Sequence, residues 1–202
     1  EIPAGSQKLA RKNILENFIK LFKDNNISFT KSFSYSIPNR LLIFFDGLPE
    51  FIVEEKKHVR GPSVSSPENA IDGFIKSNNI TIKEIFKKNT EKGEFYFYNK
   101  PEKKFQTLNF LKENIPPILD KIQWKKSMKW ADYDLNWSRP LKSILAIFKN
   151  HTIDFNFHHI QSSNFTYLDK EFEEKKKIFT NFKSYSEYFK KIGIIIDQNI
   201  RK

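Results

Sequence analysis

The sequence contains no cysteine. Disulfides, thiolate catalysis and cysteine-ligated zinc are therefore excluded, and the absence is compatible with a cytosolic protein. Glycine is scarce: six residues, scattered along the chain. They form neither a phosphate-cradling loop nor a Gly-x-Ser-x-Gly nucleophile elbow. No apolar run approaches the roughly 20 residues of a membrane span. The opening "EIPAGSQKLARK" is followed by no apolar segment of the signal-peptide kind. It also lacks an initiator methionine, which reads as a fragment or a chain that has lost its first residues.

What is present in excess is positive charge. The 202 residues carry 35 lysines and arginines against 24 aspartates and glutamates, a formal net charge of +11. The sequence pI is about 9.6. Such an excess points to a polyanionic partner, either nucleic acid or an anionic membrane surface. The plainer alternative is a solvated lysine-rich surface, because the lysines are spread rather than blocked. Apolar residues make up 39% of the chain, with 21 phenylalanines. That is enough for a core, and the length suits one large or two small domains.

The pattern of elements is mixed. Ser6 is placed to cap a first helix with Leu15, Phe18, Ile19 and Phe22 along its apolar stripe, ended by Asp24-Asn25-Asn26. Phe33, Tyr35 and Ile37 alternate with serines as a half-buried strand. Pro38-Asn39 turns the chain, Leu41 to Phe45 reads as a central strand, and Asp46-Gly47 turns it again. Phe51-Ile52-Val53 leads into a charged loop over 54–63. Ser66-Pro67 starts a helix with Ala70, Ile71, Phe74 and Ile75 inward, stopped at Asn78-Asn79. Thr81 with Glu84 has capping-box spacing, and Lys92-Gly93 turns into an aromatic strand, Phe95 to Tyr98.

Residues 103–114 read as a helix broken by Pro116-Pro117. Ile153, Phe155 and Phe157 alternate as a strand. Residues 161–183 read as a long polar loop with some helix. Ser184 and Glu187 suggest another capping box, followed by a face of Tyr185, Tyr188 and Phe189, a C-cap at Gly193, and a short strand, Ile194 to Ile196. No doubly wound unit recurs. The fold class is therefore α+β, with a mixed or antiparallel sheet and packed helices. It is one region over 1–202, with a sub-boundary near 55–66.

The most informative stretch is "KSMKWADYDLNWSRPLKSILAIF", 126–148. Trp130 and Trp137 lie seven residues apart among Lys126, Lys129, Arg139 and Lys142. Pro140 fits the first position of a helix, and Leu141, Ile144, Leu145 and Phe148 have the spacing of its buried face. With Lys56, Lys57 and Arg60, the four cations are candidates for phosphate contact. Trp130, Trp137 or Tyr133 could stack on an unpaired base, against the alternative of core packing. No catalytic set is complete. His158 and His159, as strand neighbours, would point to opposite faces and not share a metal. Asp132 and Asp134 could form a carboxylate pair on one side of an extended segment, but turn formation or pairing with nearby lysines is the commoner role, and nothing else completes a site.

The ordered motifs resemble one family, the β subunit of the bacterial heterotetrameric glycyl-tRNA synthetase, in its N-terminal region. The carrying pieces are "EIPA" at 1–4, "SIPNRLLIFFDGL" at 36–48, "VRGPS" at 59–63, "NAIDGFIKSNNIT" at 69–81, "KSMKW" at 126–130, "RPLKSILAIF" at 139–148 and "YFKKIGIIID" at 188–197. Three departures stand out. Asn39 replaces an arginine while Arg40 is kept, Lys129 replaces an arginine, and a Gly-His-Arg piece after Ser162-Ser163 gives way to "NFTYLDKEF".

The resemblance implies a subunit of a cytoplasmic glycine–tRNA ligase, which joins glycine to tRNA(Gly) with ATP through a glycyl-adenylate, in a tetramer of two α and two β subunits. ATP, with Mg2+, and glycine would sit on the α subunit. The β region would bind tRNA and organise the tetramer, with no cofactor and no complete catalytic site of its own. The family's anticodon-binding and phosphohydrolase-like domains would lie beyond residue 202. The fold would be similar to tRNA-binding or editing domains of the phenylalanyl-tRNA synthetase β subunit. An editing-type hydrolytic domain and a purely structural scaffold are the alternatives.

Overall fold

The computed structural model describes residues 1–54, 56–168 and 175–201. It is α+β, with four α-helices and several small, mostly antiparallel sheets among the described residues. The chain divides into two compact units. The first comprises Glu1–Glu50 and Gln106–Lys202, and the second comprises Phe51–Phe105. Residues 56–66 fall inside the second unit.

The first unit opens with helix α1, Ala4–Asp24. Pro3, not Ser6, is its N-cap, and Ser6 is buried in the first turn. The buried stripe is Ala10, Ile14, Phe18 and Phe22; Leu15 and Ile19 flank it half-exposed. Strands β1 (Lys31–Ile37) and β2 (Arg40–Asp46) form a hairpin around Pro38-Asn39. Among the described residues β2 pairs with β1 alone, so the apolar run is not a central strand. Its Phe45 instead packs edge-on against Phe22 at 4.8 Å. The serine face of β1 lies deeper than the aromatic one: Ser34 and Ser36 are buried, and Arg11 Nη1 donates to the Ser34 carbonyl. Phe33 and Tyr35 lie on the other face, where Phe33 meets Phe44.

The second unit holds β3 (Phe51–Glu54), β4 (Lys57–Ser63), α2 (Glu68–Asn78), β5 (Ile85–Thr90), β6 (Gly93–Lys100) and β7 (Lys103–Gln106). The expected charged loop over 54–63 is largely strand, because β4 pairs with the aromatic β6 from Lys57 to Ser63. The order β4-β6-β5 is antiparallel throughout. Helix α2 begins after Pro67 and ends where Asn79 takes a left-handed φ of 51°. Ile71, Phe74 and Ile75 are half-buried, but Ala70 is exposed. Phe74 lies against Gly61, where a Cβ would come within 2.9 Å of the ring, so glycine is required for this close approach. The Thr81–Glu84 capping box forms, with Thr81 N donating to Glu84 Oε2 at 2.7 Å.

The chain returns to the first unit at Gln106, the last residue of β7, and enters helix α3, Thr107–Asp120. Residues 103–106 are strand rather than helix, and Pro116-Pro117 does not break α3. The missing proline N–H groups would have served the carbonyls of Lys112 and Glu113, and both residues are exposed, so water can serve instead. Two-residue strands follow: β8 (Met128–Lys129), β9 (Asn136–Trp137), β10 (Ile144–Leu145), β11 (Ile147–Phe148), β12 (His151–Thr152) and β13 (Asn156–Phe157). Then come β14 (Ile160–Ser163), β15 (Phe165–Leu168), β16 (Lys175–Ile178) and α4 (Phe182–Lys191).

Four expectations fail here. Residues 139–148 form no helix. Arg139 precedes a proline and is biased to extended backbone. Ile144 and Leu145 then pair in parallel with Ser162 and Ser163, and Ile147-Phe148 folds back on His151-Thr152. The presumed loop over 161–183 is largely strand, apart from 169–174, which lie outside the described residues. Asn181, not Ser184, caps α4: Asn181 Oδ1 accepts from Ser184 N at 2.9 Å. The C-cap holds, since Gly193 has φ 79° and Ile194 N donates to the Phe189 carbonyl. Residues 194–196 form no strand. No helix among the described residues is long and apolar enough to cross a membrane.

Candidate nucleic-acid interface

The stretch from Lys126 to Lys142 folds as an irregular loop pinned at its ends. Met128 pairs with Trp137 and Lys129 with Asn136. Trp137 is buried, packed on Trp124 at 4.9 Å and on Phe157 at 5.8 Å. Leu135 and Ser138 are buried beside it. Trp137 is thus core, and stacking on a base is closed to it. Trp130 is half-buried. Trp130, Tyr133, Leu135, Pro140, Leu141 and His159 line an open cleft of about 300 Å³. Tyr133 and His159 stack there at 3.6 Å with only 7° between their planes. The 26-residue separation of this pair gave no sequence signal; the hairpin turn at His158-His159 brings the imidazole across.

Lys126, Lys129, Arg139 and Lys142 are all exposed. They are not equally available. Lys129 Nζ contacts Asp134 Oδ1 at 2.8 Å, and this hydrogen bond holds the Asp134 carboxyl below its usual range. Arg139 Nε donates to the Glu1 carbonyl at 2.8 Å. Asp132 lies exposed at a turn and Asp134 is engaged by Lys129, the turn and lysine-pair roles, rather than a carboxylate pair. His158 contacts Asp120 at 3.0 Å, while His159 is engaged by Tyr133.

Lys56, Lys57 and Arg60 belong to the second unit and are also exposed. Lys57 and Arg60 are three residues apart on one strand, so they point to opposite faces of the sheet. Arg60 places its guanidinium carbon 3.6 Å from the centroid of Phe95. The seven cations therefore divide four and three between the units.

The sequence model of the glycyl-tRNA synthetase beta subunit matches residues 1–202. The glycine–tRNA ligase beta subunit of Rickettsia peacockii (strain Rustic) is 33% identical over 202 residues, which is 100% of this chain and 30% of that protein. The one of Rickettsia canadensis (strain McKiel) is 33% identical over the same coverage. That of Rickettsia bellii (strain OSU 85-389) is 33% identical over 198 residues, 98% of this chain. The chain spans about 30% of the length of the curated relatives it matches.

Proposed function

The chain belongs to the glycyl-tRNA synthetase beta subunit family, and from that premise we propose that it contacts tRNA(Gly) and helps organise a tetramer of two α and two β subunits. The whole ligase, in the cytoplasm, attaches glycine to tRNA(Gly) with ATP. Glycine activation, with ATP and Mg2+, takes place on the α subunit. The observation that carries this reading is the family match over the full 202 residues. The net charge of +11 and the exposed Lys126, Lys129, Arg139 and Lys142 support an RNA partner. Phosphate contacts of this kind position an RNA without reading its sequence.

The test is titration of tRNA(Gly) into the chain at low and moderate salt. Each phosphate contact contributes roughly 0.7–0.9 to the slope of log affinity against log salt. Joint replacement of Lys126, Arg139 and Lys142 by alanine should weaken binding at low salt and flatten that slope. Absence of salt-sensitive binding, even at low salt, would remove direct tRNA contact and leave a scaffold role. In the complete ligase, full-length β mixed with α should lose glycylation when the same cations are removed.

A further inference from the structure

We propose that one face of the β4-β6-β5 sheet in the second unit is a stacking platform for unpaired nucleotides of RNA, a reading that rests on the tRNA contact proposed above. Strand alternation and register place His58 and Arg60 of β4, Phe86 and Lys88 of β5, and Phe95, Phe97 and Asn99 of β6 on one face. The contacts agree with that assignment. Phe86 stacks on Phe97 at 6.1 Å, His58 meets Phe86 edge-on, Lys88 lies 5.9 Å from the Phe97 centroid, and Arg60 covers Phe95 at 3.6 Å. His58 Nδ1 and Asn99 Oδ1 are 2.6 Å apart. The carboxamide oxygen accepts, so Nδ1 carries the hydrogen.

Exposure is graded across this face: Phe97, on the middle strand, is buried, Phe86 and Phe95 are half-buried, and His58, Arg60, Lys88 and Asn99 are exposed. No carboxylate occupies any of these strand positions. Glu94, the acid of β6, pairs with Asn89 and so belongs to the opposite face. A surface of cations on rings, with no carboxylate at these strand positions, is complementary to a ligand that carries both phosphate charge and flat π-faces. Unpaired bases provide such faces; paired bases in a duplex do not, being already stacked. Arg60 is the outermost plane, since a base can lie on its guanidinium while Phe95 supports it from beneath. Lys88 supplies a phosphate contact. Among the basic residues 56–60, this geometry selects Arg60 and leaves Lys57 on the other side of the sheet.

The experiment uses all 202 residues of this chain. Binding is followed by fluorescence anisotropy with labelled single-stranded RNA of about 12 nucleotides, the same strand annealed to its complement, and tRNA(Gly). Circular dichroism and thermal melting confirm that each variant is folded. The single strand should bind more tightly than the duplex. Arg60→Ala, Phe86→Leu and Phe95→Leu should each weaken single-strand binding roughly tenfold, the scale of one lost base stack. Lys88→Ala should lower the salt slope by about 0.7. Lys87→Ala, on the opposite face, should leave the preference for single strand over duplex unchanged.

Unaltered single-strand binding in folded Arg60 and phenylalanine variants would overturn the platform while leaving tRNA contact through the first unit intact. Absence of salt-sensitive binding to any of the three RNAs would overturn both. Displacement of the RNA by a glutamate-rich peptide, with affinity for that peptide insensitive to the ring substitutions, would assign the face to an acidic protein segment and also overturn the platform.

Discussion

Trp130 Nε1 donates a hydrogen bond to the Trp137 carbonyl at 3.0 Å. The bond spans the loop that carries Asp132, Tyr133 and Asp134, and it complements the short β8–β9 pairing at the loop's base. Trp137 anchors one end in the core; Trp130 ties the other end to it. The tryptophans therefore hold the loop in place, and its exposed cations are what the loop displays.

Trp130→Phe keeps most of the ring's volume but removes the donor. The net loss should be about 0.5–1.5 kcal/mol, the usual worth of one such bond. A urea titration should show a lower midpoint with an unchanged slope. RNA affinity of the folded variant should change little, because the cations remain. A large loss of affinity without loss of stability would mean that Trp130 itself touches RNA.

Asp134 and an RNA phosphate would compete for the positive charge of Lys129, which the carboxylate already engages. Asp134→Asn releases Lys129, so RNA should bind more tightly at low salt and with a steeper salt dependence. The pH sign follows from the lowered Asp134 pKa. The ion pair is formed above the usual carboxylate range and is lost as pH falls through the depressed folded value. The affinity difference between wild type and Asp134→Asn should therefore shrink on acidification. A salt-and-pH matrix of binding titrations reads both effects.

Tyr185 gives the opposite sign. Burial raises its phenol pKa above 10.0, partly offset by the neighbouring Arg40 guanidinium. The folded protein favours the neutral phenol, so its contribution is complete below the unfolded pKa and is lost as pH rises through the folded one. Stability should decline above about pH 10, and Tyr185→Phe should flatten that part of the decline. Urea midpoints measured across the alkaline range provide the check.

What the sequence made legible was local. Pro38-Asn39, Asn79, the Thr81–Glu84 box and Gly193 each carry their own backbone chemistry, and each sits where that chemistry predicts. The failures are places where distant partners decide. Leu141, Ile144, Leu145 and Phe148 have helical spacing, yet Ile144 and Leu145 pair with Ser162 and Ser163, beyond the reach of any local pattern. The candidate site shows the same limit. The cations could be numbered from the sequence, but not that Asp134 would occupy Lys129 or that Arg60 would cover Phe95. Arg40 is a further case. Its guanidinium bonds Thr166 Oγ1 and the Tyr167 carbonyl and lies 5.0 Å from the Phe189 ring, so the arginine kept in the "SIPNR" motif braces the fold.

Thr107 lies just past the point where the chain returns to the first unit. Its backbone N–H donates to the Glu50 carbonyl at 2.9 Å, and its fully buried hydroxyl donates to the Pro49 carbonyl at 2.6 Å. These bonds clip together the two chain ends that flank the second unit, closing a loop of more than fifty residues. Closing so long a loop costs entropy, so the clip must be held by good local bonding. Thr107→Val preserves the shape and the backbone bond but leaves the Pro49 carbonyl without its hydroxyl donor. The expected cost is about 1–3 kcal/mol. Thr107→Ser keeps the donor and should recover most of that loss, the remainder reflecting the missing methyl in a filled site. Hydrogen exchange should show the Thr107 amide losing protection in the valine variant while the β4-β6-β5 amides keep theirs. Equal loss of protection in both would mean that the two units unfold as one and that the clip is not a local closure.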